Sequence, residues 1–134
     1  MVRYQPMSVL DKVRDSVKTK HADLRYTEAN GTIVVHAPTP NGFDVSISEN
    51  LVVAYDGWHE HFDTPEKALE CFAFGLSDQC RLKVSYRGKF DHKWTLESLE
   101  DGQWVEDSTT GLLFFPFWRG ERIEYRQNGL LKGG

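Results

Sequence analysis

The sequence is short of the features that most directly announce chemistry. Only two cysteines occur, Cys71 and Cys80, and they have neither the spacing of a zinc site nor that of a dithiol redox motif. In a core-forming chain without an export signal they read as reduced, partly buried thiols, which predicts a cytoplasmic protein. No phosphate loop or dinucleotide fingerprint is present; "NGF", "RGK" and "WRGE" are turn chemistry. No apolar run approaches the roughly 20 residues of a transmembrane helix. The opening "MVRYQPMSVLDKVRDSVK" lacks the continuous apolar stretch of a signal peptide. An excess of positive charge is missing too. The 16 Lys/Arg and 20 Asp/Glu are intermixed and leave a net charge of -4, so neither nucleic acid nor a membrane surface is expected as partner. No motif implies a cofactor.

What is present suits one domain over residues 1–134, with frayed ends at about 1–6 and 129–134. Two segments carry helical period. In "SVLDKVRDSVKTKHADL" the residues Leu10, Val13, Val17 and Leu24 form one apolar stripe, Ser8 suits the N-cap and Asp11 the first turn. In "FDTPEKALECFAFGLS", Asp63 or Thr64 can cap and Pro65 fits the first turn. Gly75 is the expected stop there, and Ala68, Leu69, Phe72 and Leu76 form the buried stripe, which Cys71 and Phe74 widen.

The remainder alternates as strands, and alternation selects loop lengths, because a slip of one residue turns an apolar set outward. A three-residue turn at Ser48-Glu49-Asn50 sets Val45 opposite Val53 and Phe43 opposite Tyr55. A two-residue turn at Asp56-Gly57 sets Tyr55 opposite Trp58. A three-residue turn at Gly88-Lys89-Phe90 pairs Tyr86 with His92, Val84 with Trp94 and Leu82 with Leu96. It also faces Arg87 with Asp91 and Arg81 with Glu97. A turn at Asp101-Gly102 follows, whose two-residue form opposes Glu97 and Glu106; a different register, or Glu97 paired with Arg81, would avoid that repulsion. A loop at Arg119-Gly120-Glu121 pairs the 113–117 run with Ile123 and Tyr125. The fold class is therefore α+β, two helices packed on one face of a curled, mainly antiparallel meander sheet.

Three sites are candidates. His59 and His61 alternate to the face away from the core, and with Asp63 they resemble transition-metal ligands in type. They lack the helical H-E-x-x-H pattern and a further ligand group, so a solvated strand face is the better reading and no metal is expected. Trp58, Tyr86, His92 and Trp94 fall on one face and could line a small-ligand pocket between the sheet and the second helix. No serine or cysteine is placed to act with His92, and no catalytic residue is assigned.

The anomaly is "GLLFFPFW". Its alternation gives Leu113, Phe115 and Phe117 to the core, yet Leu112, Phe114, Pro116 and Trp118 on the other side are apolar as well. Pro116 cannot donate a ladder hydrogen bond, which suits an edge strand, and edges apolar on both faces invite association. The expectation is a non-catalytic binding or interaction domain using that edge, as a homodimer or with another protein.

Overall fold

The computed structural model describes residues 8–20, 24–112 and 118–129. The frayed ends expected from the sequence lie outside the described residues, apart from Gly129.

Helix α1 (Val9–Lys20) begins at a reciprocal cap. The Asp11 amide donates to Ser8 Oγ at 3.1 Å, and the Ser8 amide donates to the Asp11 carboxylate at 3.3 Å. This satisfies orphan donors of the first turn and presents Val9, Leu10, Val13 and Val17 to the core. Strands β1 (Tyr26–Ala29), β2 (Thr32–Val35), β3 (Val45–Ser48), β4 (Val52–Tyr55) and β5 (Trp58–His61) form an antiparallel meander in sequence order. Helix α2 (Pro65–Leu76) follows, with Thr64 accepting from the Lys67 amide and Pro65 in the first turn. Strands β6 (Cys80–Arg87), β7 (Phe90–Glu100), β8 (Gln103–Gly111) and β9 (Glu121–Arg126) form a second antiparallel sheet in the order β8-β7-β6-β9.

The α+β class with antiparallel sheets holds, but the strands divide into two sheets rather than one. The division falls at β5. Its groups meet side-chain oxygens of β8: the Trp58 indole N–H donates to Ser108 Oγ at 2.9 Å, and the His59 amide to Thr110 Oγ1 at 3.3 Å. These bonds take the place of a backbone ladder. Both helices pack against the first sheet, α1 on β2 and β3 and α2 on β3 and β4, while α2 also reaches β6. Ile33, Val35, Val45, Ile47, Val53, Tyr55 and Trp58 fill the inner face, and one apolar cluster continues through Cys80, Leu82, Val84, Trp94 and Leu96 of the second sheet.

In β3, β4 and the Leu82–Leu96 and Val84–Trp94 pairs the inward sets match the alternation, while several pairings differ. The β3–β4 loop is Glu49-Asn50-Leu51, so Val45 faces Tyr55 and Ile47 faces Val53, a shift of two that preserves the face. Leu51 takes the left-handed conformation (φ 65°), and its amide donates to the Ser48 carbonyl at 2.9 Å. Asp56-Gly57 forms the two-residue turn, with Tyr55 opposite Trp58. The β6–β7 turn is Gly88-Lys89, and the residue left over becomes a bulge at His92, so Tyr86 faces Asp91 and Arg87 faces Phe90. Beyond that bulge Val84–Trp94, Leu82–Leu96 and Arg81–Glu97 pair as the pattern requires.

At β7–β8 the two-residue turn does oppose Glu97 and Glu106, with a bulge at Asp107. Each carboxylate has its own cation: Arg81 Nε donates to Glu97 at 2.5 Å and Lys83 Nζ to Glu106 at 3.0 Å. β9 pairs with β6, with Ile123 opposite Ser85 and Tyr125 opposite Lys83, and the expected pairing of β9 with the 113–117 run lies outside the described residues. Leu113, Phe115 and Phe117 lie outside the described residues.

Gly75 does not stop α2. It lies inside the helix and is buried, and the chain turns away at Ser77, whose amide and hydroxyl both donate to the Phe74 carbonyl. Its role is close approach, because a Cβ at Gly75 would overlap the Tyr55 ring. Gly75→Ala therefore tests which effect governs the position. Helix propensity alone would stabilise by about 1 kcal/mol, whereas overpacking costs about 1–3 kcal/mol. The variant is expected to unfold at lower urea concentration with an unchanged m-value; a raised midpoint would contradict the close packing.

Candidate functional site

Of the apolar segment expected as an edge strand, residues 113–117 lie outside the described residues. The chain between Gly111 on β8 and Glu121 on β9 joins the two outer strands of the second sheet. Leu112 follows the end of β8, with its amide donating to the His92 carbonyl at 2.8 Å and its side chain 44% exposed. Trp118 is 73% exposed, and next to it the Arg119 carbonyl accepts from Arg87 at 3.2 Å, which holds this turn beside the β6–β7 hairpin. Phe90 in that hairpin is also exposed. Phe114 and Pro116 lie outside the described residues.

Among the described residues, the edge of the second sheet on this side is β9. Ile123 and Tyr125 are 40% and 50% exposed and project to the outer face of the sheet beside Ser85 and Lys83. Tyr125 is not loose. The Arg81 guanidinium lies 4.0 Å from its ring centroid and 4.6 Å from that of Trp104, while bonded to Glu97. On the opposite face of β9, Arg122 lies over the Tyr86 ring at 4.5 Å and pairs with Glu124. Arg126 bonds Glu124 at 3.2 Å, the Tyr86 hydroxyl at 3.0 Å and the Pro40 carbonyl at 3.2 Å. Pairing Ile123 and Tyr125 with the preceding aromatic run hides this exposure. The alternation in "ERIEYR", with a charge at every second position and more, is the signal that marks an edge.

Of the four residues expected to line a pocket, only Trp58 lines the cleft beside α2. Trp58 is buried, stacked on Tyr55 at 4.6 Å. Trp94 packs over the Asp56-Gly57 turn, so closely that a Cβ on Gly57 would overlap its indole. His92 is buried at its bulge, and burial, with Arg87 as the next cause, lowers its pKa and favours the neutral ring. Tyr86 is half-buried under Arg122 and Arg126. An open cleft of about 420 Å³ lies between α2, β5 and the second sheet, and of the four only Trp58 reaches it. Its floor is Trp58, Phe62, Phe74 and Leu96. Glu60, Glu70 and Asp107 line it as well, and its one cation, Lys67, is paired with Asp63 at 3.3 Å.

His59 and His61 are exposed opposite Ala54 and Val52, on the face away from the core. Among the described residues no three or more His, Cys, Asp or Glu side chains converge as metal ligands. The cations of β6 are each matched: Arg81 to Glu97, Lys83 to Glu106, and Arg87 to Glu121 at 3.7 Å in place of the expected Asp91.

Comparison with protein-family models, with curated proteins and with solved structures finds no match to this chain. Among the described residues no helix is long and apolar enough to cross a membrane.

The nearest group to a nucleophile at the cleft is the Cys71 thiol, 3.1 Å from the Tyr55 hydroxyl. Burial pushes its pKa up to about 11; the Tyr55 hydrogen bond opposes this and the charges of Glu60 and Asp107 add to it. Only about one thiol in a thousand is then ionised at pH 8, which makes a poor nucleophile. Iodoacetamide labelling of Cys71 should accelerate about tenfold per pH unit from pH 7 to 9.5 without levelling off. A plateau near pH 8.5, the behaviour of a free thiol, would refute the assignment.

Proposed function

We propose that this protein is a non-catalytic interaction domain of the cytoplasm, docking through the β9 edge and the aromatic side chain of Trp118. One observation carries the reading: β9, outermost in the second sheet among the described residues, bears exposed Ile123 and Tyr125, and the 73%-exposed Trp118 stands just before it. An open edge offers a row of backbone donors and acceptors, and side chains on alternate positions give selectivity. Large exposed aromatics beside such an edge are what a docked chain would cover. Leu112, at the other end of the same connection, extends the apolar area. The two unjoined thiols support the cytoplasmic assignment. A photo-crosslinking phenylalanine analogue in place of Trp118, in cells making the protein, should give one discrete adduct, whereas the same analogue in place of the exposed Asn50 should give none. An equal yield at the two positions would dispose of the docking edge.

The cleft beside α2 favours a second reading, a small-ligand site. Its floor is apolar and aromatic, and the bulge at Asp107 brings a carboxylate to it alongside Glu60 and Glu70. That chemistry suits an apolar body with a cationic end. Titration with a short alkyl amine should shift the Trp58 indole N–H resonance saturably, and Phe74→Asp should abolish the shift. A linear, unsaturable drift would eliminate this reading.

A further inference from the structure

We infer that the chain docking on β9 is a second copy of this protein, joined by antiparallel pairing of β9 with the partner's β9 about Ile123. The inference rests on the reading of β9 as the docking edge and names what docks there.

Symmetry restricts the choice of register. Two identical antiparallel strands are related by a twofold axis normal to the sheet, so a residue at the centre faces itself and its neighbours face each other's counterparts. With Glu124 at the centre, Glu124 would face the partner's Glu124 and Arg122 the partner's Arg126, like charges throughout. With Arg122 at the centre, two arginines would meet. With Ile123 at the centre, every contact changes character. Ile123 meets the partner's Ile123 on the outer face, while Arg122 meets the partner's Glu124 and Glu124 meets the partner's Arg122 on the other. Tyr125 then lies across from the partner's Glu121.

Charges on an edge strand usually deter pairing. Here their order penalises the neighbouring registers and permits this one, which is how specificity is built against slippage. The pairing has a defined end. The Gln127 amide already donates to the Asn41 carbonyl at 2.9 Å and Arg126 to the Pro40 carbonyl, so the ladder runs from Glu121 to Tyr125. The outcome is one continuous sheet built from the four strands of each copy.

Charge exchange tests the register directly. Arg122→Glu alone sets glutamate against glutamate in its own dimer, and Glu124→Arg alone sets arginine against arginine. Each should weaken self-association about tenfold in sedimentation equilibrium, since two cross-strand pairs turn repulsive. An equimolar mixture of the two variants restores both attractive pairs and should associate to within about threefold of the wild type. The double exchange, Arg122→Glu with Glu124→Arg, should recover likewise. Any disturbance of the fold by a single exchange would persist in the mixture, so recovery reports the interface alone. Wild-type protein that stays a single chain at every concentration, or a mixture no tighter than its components, overturns the inference. A crosslink from position 118 to a chain of another mass, with no recovery in the mixture, removes the second copy but leaves the docking edge standing.

Discussion

Tyr55 is the point on which the architecture turns. Its ring packs against Phe43 at 5.3 Å and stacks on Trp58 at 4.6 Å, and it fills the space that a side chain on Gly75 would need. Its hydroxyl reaches the Cys71 carbonyl and thiol, which fixes α2 along the first sheet. A buried phenol without such a partner would be costly, so burial and hydrogen bond come together. Two residues on, the Asp56-Gly57 turn carries the Trp94 indole, and Trp58 bonds Ser108. One hairpin tip thereby locates the helix on one side and the second sheet on the other. The cleft between α2 and the second sheet exists because this tip holds them apart while touching both.

Side-chain parity was legible in the sequence; pairing partners were legible only where the turn admitted one answer. Asp-Gly at 56–57 leaves a single sensible register, and Tyr55 does face Trp58. At Gly88-Lys89-Phe90 parity could not separate a three-residue loop from a two-residue turn with a bulge, because both keep Val84 and Trp94 on the same face. The bulge decides where His92 and Phe90 go, and nothing in local alternation encodes it. The same limit hid the split into two sheets. Long-range bonds such as Trp58 to Ser108 depend on which edges meet, whereas hairpin patterns speak only of chain neighbours.

The candidate surface was legible in the same partial way. Leu112 and Trp118 stood out because alternation could not assign their neighbours to one face, and both are exposed. Phe114 and Pro116 between them lie outside the described residues, and among those described β9 is the last strand on that side of the sheet. Pairing with the preceding run gives Ile123 and Tyr125 a core role, whereas both are exposed. Once β6 takes β9, their side chains fall on the outer face with Ser85 and Lys83.

An edge serves as a docking site to the extent that it is held ready. The outer face of the second sheet does this through Arg81, which bonds the buried Glu97 of β7 and lies between Trp104 of β8 and Tyr125 of β9. A carboxylate as buried as Glu97 is costly without its cation, so Arg81 has little freedom to leave. The guanidinium in turn fixes the Tyr125 ring, while Arg126 and Arg122 tie the other face of β9 to Tyr86. The strand is thus secured on both faces, and among the described residues no strand pairs with its outward backbone. Ordering costs that a docking chain would otherwise meet are already met within the fold, and an exposed strand held in this way is suited to pairing with another strand.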